Sequence, residues 1–144
     1  MPLPSPVPGL VICYSYLWHH EHGAGAEEGS KDRPCAIIVA KQDEAGDTTA
    51  YVCPITHTPP SNPTDGLEIP SAVKRHLRLD ESPSWIMTNE LNKFVWPGHD
   101  LRPIDRENKD TFSWGFLPVE LFESVKRSII AHQRSKNLKQ TPRT

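Results

Sequence analysis

Apolar positions along this chain come in short unbroken runs, each closed off by Pro, Gly or Asp, which is the punctuation of many short strands. Strands are predicted over residues 10–17, 35–40, 50–54 and 84–88, with shorter ones near 93–96 and 111–115. Their mixture of Val, Ile and aromatic side chains suits the wall of a β-barrel. Two stretches change to a helical period. Residues 70–77 carry Pro70 at a first-turn position, and from Pro118 onward Leu121, Phe122, Val125, Ile129 and His132 fall on one helical face, which predicts a helix docked against the sheet. After Gln133 the chain turns polar and basic and reads as a frayed tail. Pro2, Pro4, Pro6 and Pro8 suit an extended lead-in. The pattern divides the chain into a lead-in at 1–8, one domain at 9–133 and a basic flexible tail at 134–144. The fold class is mainly β, a small barrel with a short internal helix and a C-terminal helix.

A length of 144 residues is one domain's worth and buries a core without staples. Fifteen Pro and eight Gly reinforce the reading of many turns. The formal net charge of -2 gives no global attraction to nucleic acid, but the charges are unevenly spread. Residues 1–122 hold ten Lys or Arg against seventeen Asp or Glu, whereas residues 123–144 hold six basic residues against Glu123 alone. Contact with RNA therefore requires a local basic patch. Cys13, Cys35 and Cys53 lie inside apolar runs, and an odd number of cysteines without a signal peptide points to buried, reduced thiols in a cytoplasmic protein. No apolar stretch approaches the roughly 18 residues that span a bilayer, so no membrane partner is expected.

Polar chemistry concentrates at two strand ends. Lys31-Asp32-Arg33-Pro34 opens one apolar run, and Val52-Cys53-Pro54-Ile55-Thr56-His57 closes the next. A guanidinium and a hydroxyl beside buried β-structure are suited to gripping and polarising a phosphodiester. With Gly9 opening the first strand, Arg33-Pro34 opening the second, Pro54-Ile55-Thr56 ending the third, an extended segment at 85–90 and a closing helix at 117–132, the chain resembles the PemK/MazF family of toxins from type II toxin–antitoxin pairs. That resemblance implies an SH3-like barrel, a homodimer, a cognate antitoxin protein as partner, and metal-independent cleavage of single-stranded RNA such as mRNA, without a cofactor. Three features depart from the family's pattern: Asn89 stands where an acidic residue is common, the loop 18–31 is longer and richer in His, and residues 96–100 form an insertion.

RNA is cut without a metal when the 2′-hydroxyl is deprotonated, the phosphorus centre is stabilised and the leaving oxygen is protonated. Arg33, Thr56, His57 and Glu28 are the catalytic candidates. Arg33 supplies the permanent cation, its alternative being a surface pair with Asp32 or Glu28. Thr56 donates a hydroxyl or caps the turn before Pro59-Pro60. His57 is a proton carrier near neutral pH, but neighbouring strand residues point to opposite faces, so only one of Thr56 and His57 is expected in the site. Glu28 is a base, an anchor for Arg33, or a solvated loop residue. Lys31, His19, His20, Asn89 and Trp96 are the RNA-binding candidates, with Trp96 expected to be partly exposed as a stacking face. His19-His20-Glu21-His22 lacks a second ligand pair at zinc spacing, so no metal is expected, although one of these histidines could supply a missing acid. The small-residue stretch 23–30 reads equally as a mobile cover or an ordinary hairpin loop. Two other functions fit the same residues: a non-catalytic SH3-like module that binds protein or RNA, and a gyrase poison of the CcdB kind, whose fold resembles this family's.

Overall fold

The computed structural model describes residues 3–25, 31–104 and 111–143. In chain order its elements are β1 (Leu10–Tyr14), α1 (His19–Gly23), β2 (Arg33–Gln42), β3 (Thr48–Thr56), a 3-10 turn (Pro63–Asp65), β4 (Gly66–Glu68), α2 (Ser71–Leu77), β5 (Trp85–Met87), β6 (Glu90–Val95), β7 (Ser113–Phe116), α3 (Val119–Arg134) and β8 (Lys139–Pro142).

The unbroken apolar runs of β1, β2 and β3 have a physical reason: this part of the sheet is covered on both faces. Side chains alternate across a strand. Val11, Ala36, Ile38, Cys53 and Ile55 therefore join Leu77, Val125 and Ile129 in one core, while Ile12, Tyr14, Cys35, Ile37, Ala50 and Val52 join Tyr16 and Phe94 in another. Each fully buried aliphatic side chain contributes about 1.5–3 kcal/mol, so a one-residue slip in register, which would exchange the two sets, is strongly opposed. The α3 helix supplies the cover on the first face through Val125 and Ile129, as its periodicity predicts.

The strands form one mainly antiparallel sheet of eight, with β4-β5-β3-β2-β1-β7 as its main path. The free edge of β3 is shared: its residues 49–52 pair with β6, and Ile55 and Thr56 pair with Ile86 and Trp85 of β5. The mainly β expectation holds. Among the described residues the path is open, running from β4 to β7 without a pairing that joins them.

The ends of several elements differ from the sequence reading. β1 stops at Tyr14, yet residues 15–17 stay buried, because Tyr16 donates its hydroxyl to Glu90 at 3.0 Å and the Leu17 N–H donates to Asn92 Oδ1 at 2.9 Å. Over the described residues 134–143, the expectation of a frayed tail is overturned. α3 runs to Arg134, and Lys139–Pro142 pairs parallel to β6, with Glu90 opposite Lys139 and Asn92 opposite Thr141. The ladder and the buried side chains of Thr141 and Arg143 hold this segment, despite a composition that reads as solvated. α1 forms inside the His-rich loop, and Glu21 accepts the Trp18 N–H at 3.1 Å at its start. No helix among the described residues is long and apolar enough to cross a membrane.

Candidate functional site

Where β1, β2 and β3 end together, the sheet opens into a cleft of about 430 Å³. Antiparallel register fixes who meets there. Cys13 lies opposite Pro34 and Tyr14 opposite Arg33, and the pairing of Cys35 with Pro54 carries Arg33 and Thr56 onto the same side of neighbouring strands. The lining includes Cys13, Lys31, Arg33, Thr56 and His57 from the strand ends, Arg78 and Asp80 from the loop after α2, and Trp114 from β7. Four sequence-predicted residues, Lys31, Arg33, Thr56 and His57, therefore share one concavity.

Arg33 is the unusual member. It is only 9% exposed, and its Nε lies buried without a hydrogen-bond partner among the described residues. Its guanidinium carbon stands 5.0 Å from the centre of the Trp18 ring, a cation–π contact that holds the charge without neutralising it. The surface pair expected as the alternative is absent among the described residues, since Asp32 instead faces Arg102 at 3.8 Å. A guanidinium cannot shed its proton at physiological pH, so its desolvation is left for an anion to offset.

Thr56 is equally buried, and its Oγ1 accepts the Thr58 N–H at 3.2 Å. This is the turn-capping role, and it uses the oxygen as acceptor while leaving the hydroxyl proton available. The expectation that only one of Thr56 and His57 faces the site is corrected. The strand ends at Thr56, so alternation no longer governs the next residue, and both line the cleft. His57 Nε2 lies 3.0 Å from each carboxylate oxygen of Asp80.

The thiol of Cys13 on the cleft lining is held protonated. Burial, followed by the nearby charge of Asp32, pushes its pKa up to about 11, with Arg102 opposing. A nucleophilic thiolate is thereby disfavoured.

The remaining candidates lie elsewhere or outside the described residues. Glu28 belongs to the latter. His19 gives its backbone N–H to Glu90 Oε1 at 3.0 Å, and His20 stacks 6.5 Å from Trp18, the ring that Arg33 also contacts. Asn89 does not line the cleft; its carbonyl accepts the Lys139 N–H, and its Oδ1 is buried without a partner among the described residues. Trp96 is half-buried, with its ring centre 6.0 Å from Phe94 in the second core, away from the cleft. Among the described residues, no group of three His, Cys, Asp or Glu side chains is arranged to hold a metal.

Sequence reasoning missed Arg78 and Asp80. Arg78 and Asp80 sit in a polar turn whose only local signal is the end of α2, where Arg78 adopts a left-handed φ of 59°. Trp114 is one of four tryptophans, with Trp18, Trp85 and Trp96, that the sequence offers either as a stacking face for an unpaired base or as core, and it lines the cleft. No protein-family model matches the chain, and no curated protein matches it.

Proposed function

We propose that this protein is a metal-independent endoribonuclease of PemK/MazF type, acting on single-stranded RNA as the toxin of a type II toxin–antitoxin pair. The observation that carries this reading is the Arg33 guanidinium, nine-tenths buried, without a hydrogen bond or ion pair among the described residues, on a cleft that also gathers Lys31, Thr56, His57 and Arg78. A phosphodiester supplies the missing counter-charge and hydrogen-bond acceptors.

In this reading, Arg33 and the Thr56 hydroxyl bind the non-bridging oxygens and stabilise the charge that builds up on them as phosphorus becomes five-coordinate. His57, its Nε2 engaged by Asp80, takes the 2′-hydroxyl proton at Nδ1. The 2′-oxygen then bonds to phosphorus as the bond to the 5′-oxygen breaks. That oxygen takes a proton from water in the cleft, leaving a 2′,3′-cyclic phosphate and a 5′-hydroxyl. The half-buried Trp114 offers a face for an unpaired base. A cognate antitoxin would compete for this basic cleft, a homodimer would extend it across two copies, and the mRNA substrate would set the activity in the cytoplasm.

Purified protein incubated with a long unstructured RNA in EDTA, beside Arg33→Ala, tests the proposal. Discrete cuts ending in cyclic phosphates, absent from the variant, are expected. Intact RNA from folded wild-type protein would overturn it, and retained RNA binding in that case would move the reading to a non-catalytic RNA-binding module.

A further inference from the structure

Resting on the reading of the cleft above, we infer that Asp80 is a positioning residue that fixes the tautomer of His57, and that the buried ammonium of Lys74 holds the loop carrying Asp80 in place. His57 is on a bend beyond the end of β3, with a side chain 54% exposed, so neither strand nor core fixes its ring. Its one hydrogen-bond partner among the described residues is the Asp80 carboxylate at Nε2. A carboxylate only accepts, so Nε2 carries the proton in the neutral ring and Nδ1 keeps the lone pair.

Asp80 is itself held. Its Oδ1 accepts the Ser82 N–H at 3.1 Å, closing a tight turn. The turn is anchored from beneath by Lys74 of α2, only 7% exposed, whose Nζ donates to the Glu81 carbonyl at 3.2 Å and the Ser82 carbonyl at 2.8 Å. Ser84 adds a hydroxyl bond to the same Ser82 carbonyl at 3.1 Å, and its own carbonyl accepts the Ile69 N–H at 2.8 Å. A buried lysine ordinarily sits against a carboxylate. Here the partners among the described residues are two loop carbonyls, and the loop they fix presents Asp80 to the cleft. The order of support is helix ammonium, loop carbonyls, carboxylate, imidazole.

The test is the ring-nitrogen spectrum of His57, read by long-range proton–nitrogen correlation with the imidazole neutral, in wild type, Asp80→Ala and Lys74→Met. Wild type should show the Nε2–H form, and both variants should show a mixture of tautomers. In parallel, Asp80→Ala should lower kcat for RNA at least tenfold with KM changed less than about twofold, the pattern of a lost proton carrier and not of lost binding. An unchanged tautomer in Asp80→Ala overturns the inference. Asp80 is 58% exposed, so that variant is expected to fold even if Lys74→Met does not. The spectrum needs no activity: the Nε2–H form held by Asp80 in a protein that leaves RNA intact refutes the ribonuclease reading while supporting the positioning role.

Discussion

Replacing Arg143 with Met tests whether the C-terminal segment is structural. The Arg143 side chain is 2% exposed and lies 2.9 Å from Asp100, which is itself 9% exposed. It also donates to the Ser15 carbonyl at 2.7 Å and to Asn92 Oδ1 at 3.0 Å, and its guanidinium carbon stands 5.6 Å from the centre of the Tyr14 ring. Methionine keeps much of the packing on Tyr14 but abandons the carboxylate. Removing one partner of a buried ion pair costs about 3–5 kcal/mol, and because Arg102 remains 3.9 Å from Asp100 the lower end applies, about 3 kcal/mol. Urea unfolding at neutral pH should show that loss with an unchanged slope, nearly the same in 1 M salt because a buried pair is poorly screened. The double variant Arg143→Met/Asp100→Asn, which leaves no stranded charge, should recover a large part of it. A loss under about 1 kcal/mol for Arg143→Met would refute the reasoning, since that is what an exposed arginine on a loose tail would give.

Stability should also fall on the alkaline side. Burial holds the Cys13 thiol protonated up to about 11 and raises Cys35 and Cys53 further, whereas the unfolded thiols ionise at their ordinary value of 9.0. The folded state therefore keeps its full stability below pH 9 and loses it progressively as the pH rises through the window from 9 to 11 and above. At pH 10 each thiol costs about 1–2 kcal/mol, roughly 3–5 kcal/mol together; urea midpoints that match at pH 8 and pH 10 would contradict this. Arg33→Met should remove an uncompensated buried charge and raise stability by about 1 kcal/mol, while abolishing any stabilisation of the fold by added phosphate. A thermal scan with and without phosphate reads both effects. Trp18→Ala should weaken RNA binding, measured by fluorescence anisotropy, by about threefold to fivefold, the value of one cation–π contact that orients Arg33; unchanged binding would mean that the ring is only a core contact.

What could be read from the sequence was what the local pattern determines. The continuous apolar runs of β1, β2 and β3 and the face of α3 declare themselves because each is dictated by burial. β8 does not, since Lys139 and Gln140 are exposed polar residues and its strand geometry comes from pairing with β6, a partner more than forty residues away. β4 is invisible for a similar reason: three residues are too few to carry a period. The same division runs through the site. Arg33 and Thr56 could be found because they flank apolar runs, but Asp80 reaches His57 across 23 residues through a fold-dependent approach. Asn89 is suggested by the resemblance, standing where an acidic residue is common, and Trp96 by the exposure expected beside Pro97-Gly98, and the sheet carries both to surroundings other than the cleft.

The position of the cleft follows from where β1, β2 and β3 end. Over residues 49–52 the free edge of β3 is satisfied by β6, and at Ile55 and Thr56 by β5, so the sheet changes partners just before His57. On the other side of β3, β1 and β2 end at the same level, with Tyr14 opposite Arg33. The cleft between these strand ends, the loop after α2 and Trp114 of β7 is lined largely by strand-end residues, whose side chains are no longer bound by the two-faced burial that fills the central sheet. Polar groups are tolerated there at little structural cost, and Arg33 is buried there with its Nε unpaired among the described residues. Thr56 and His57 share the cleft because the turn at the strand end frees them from alternation.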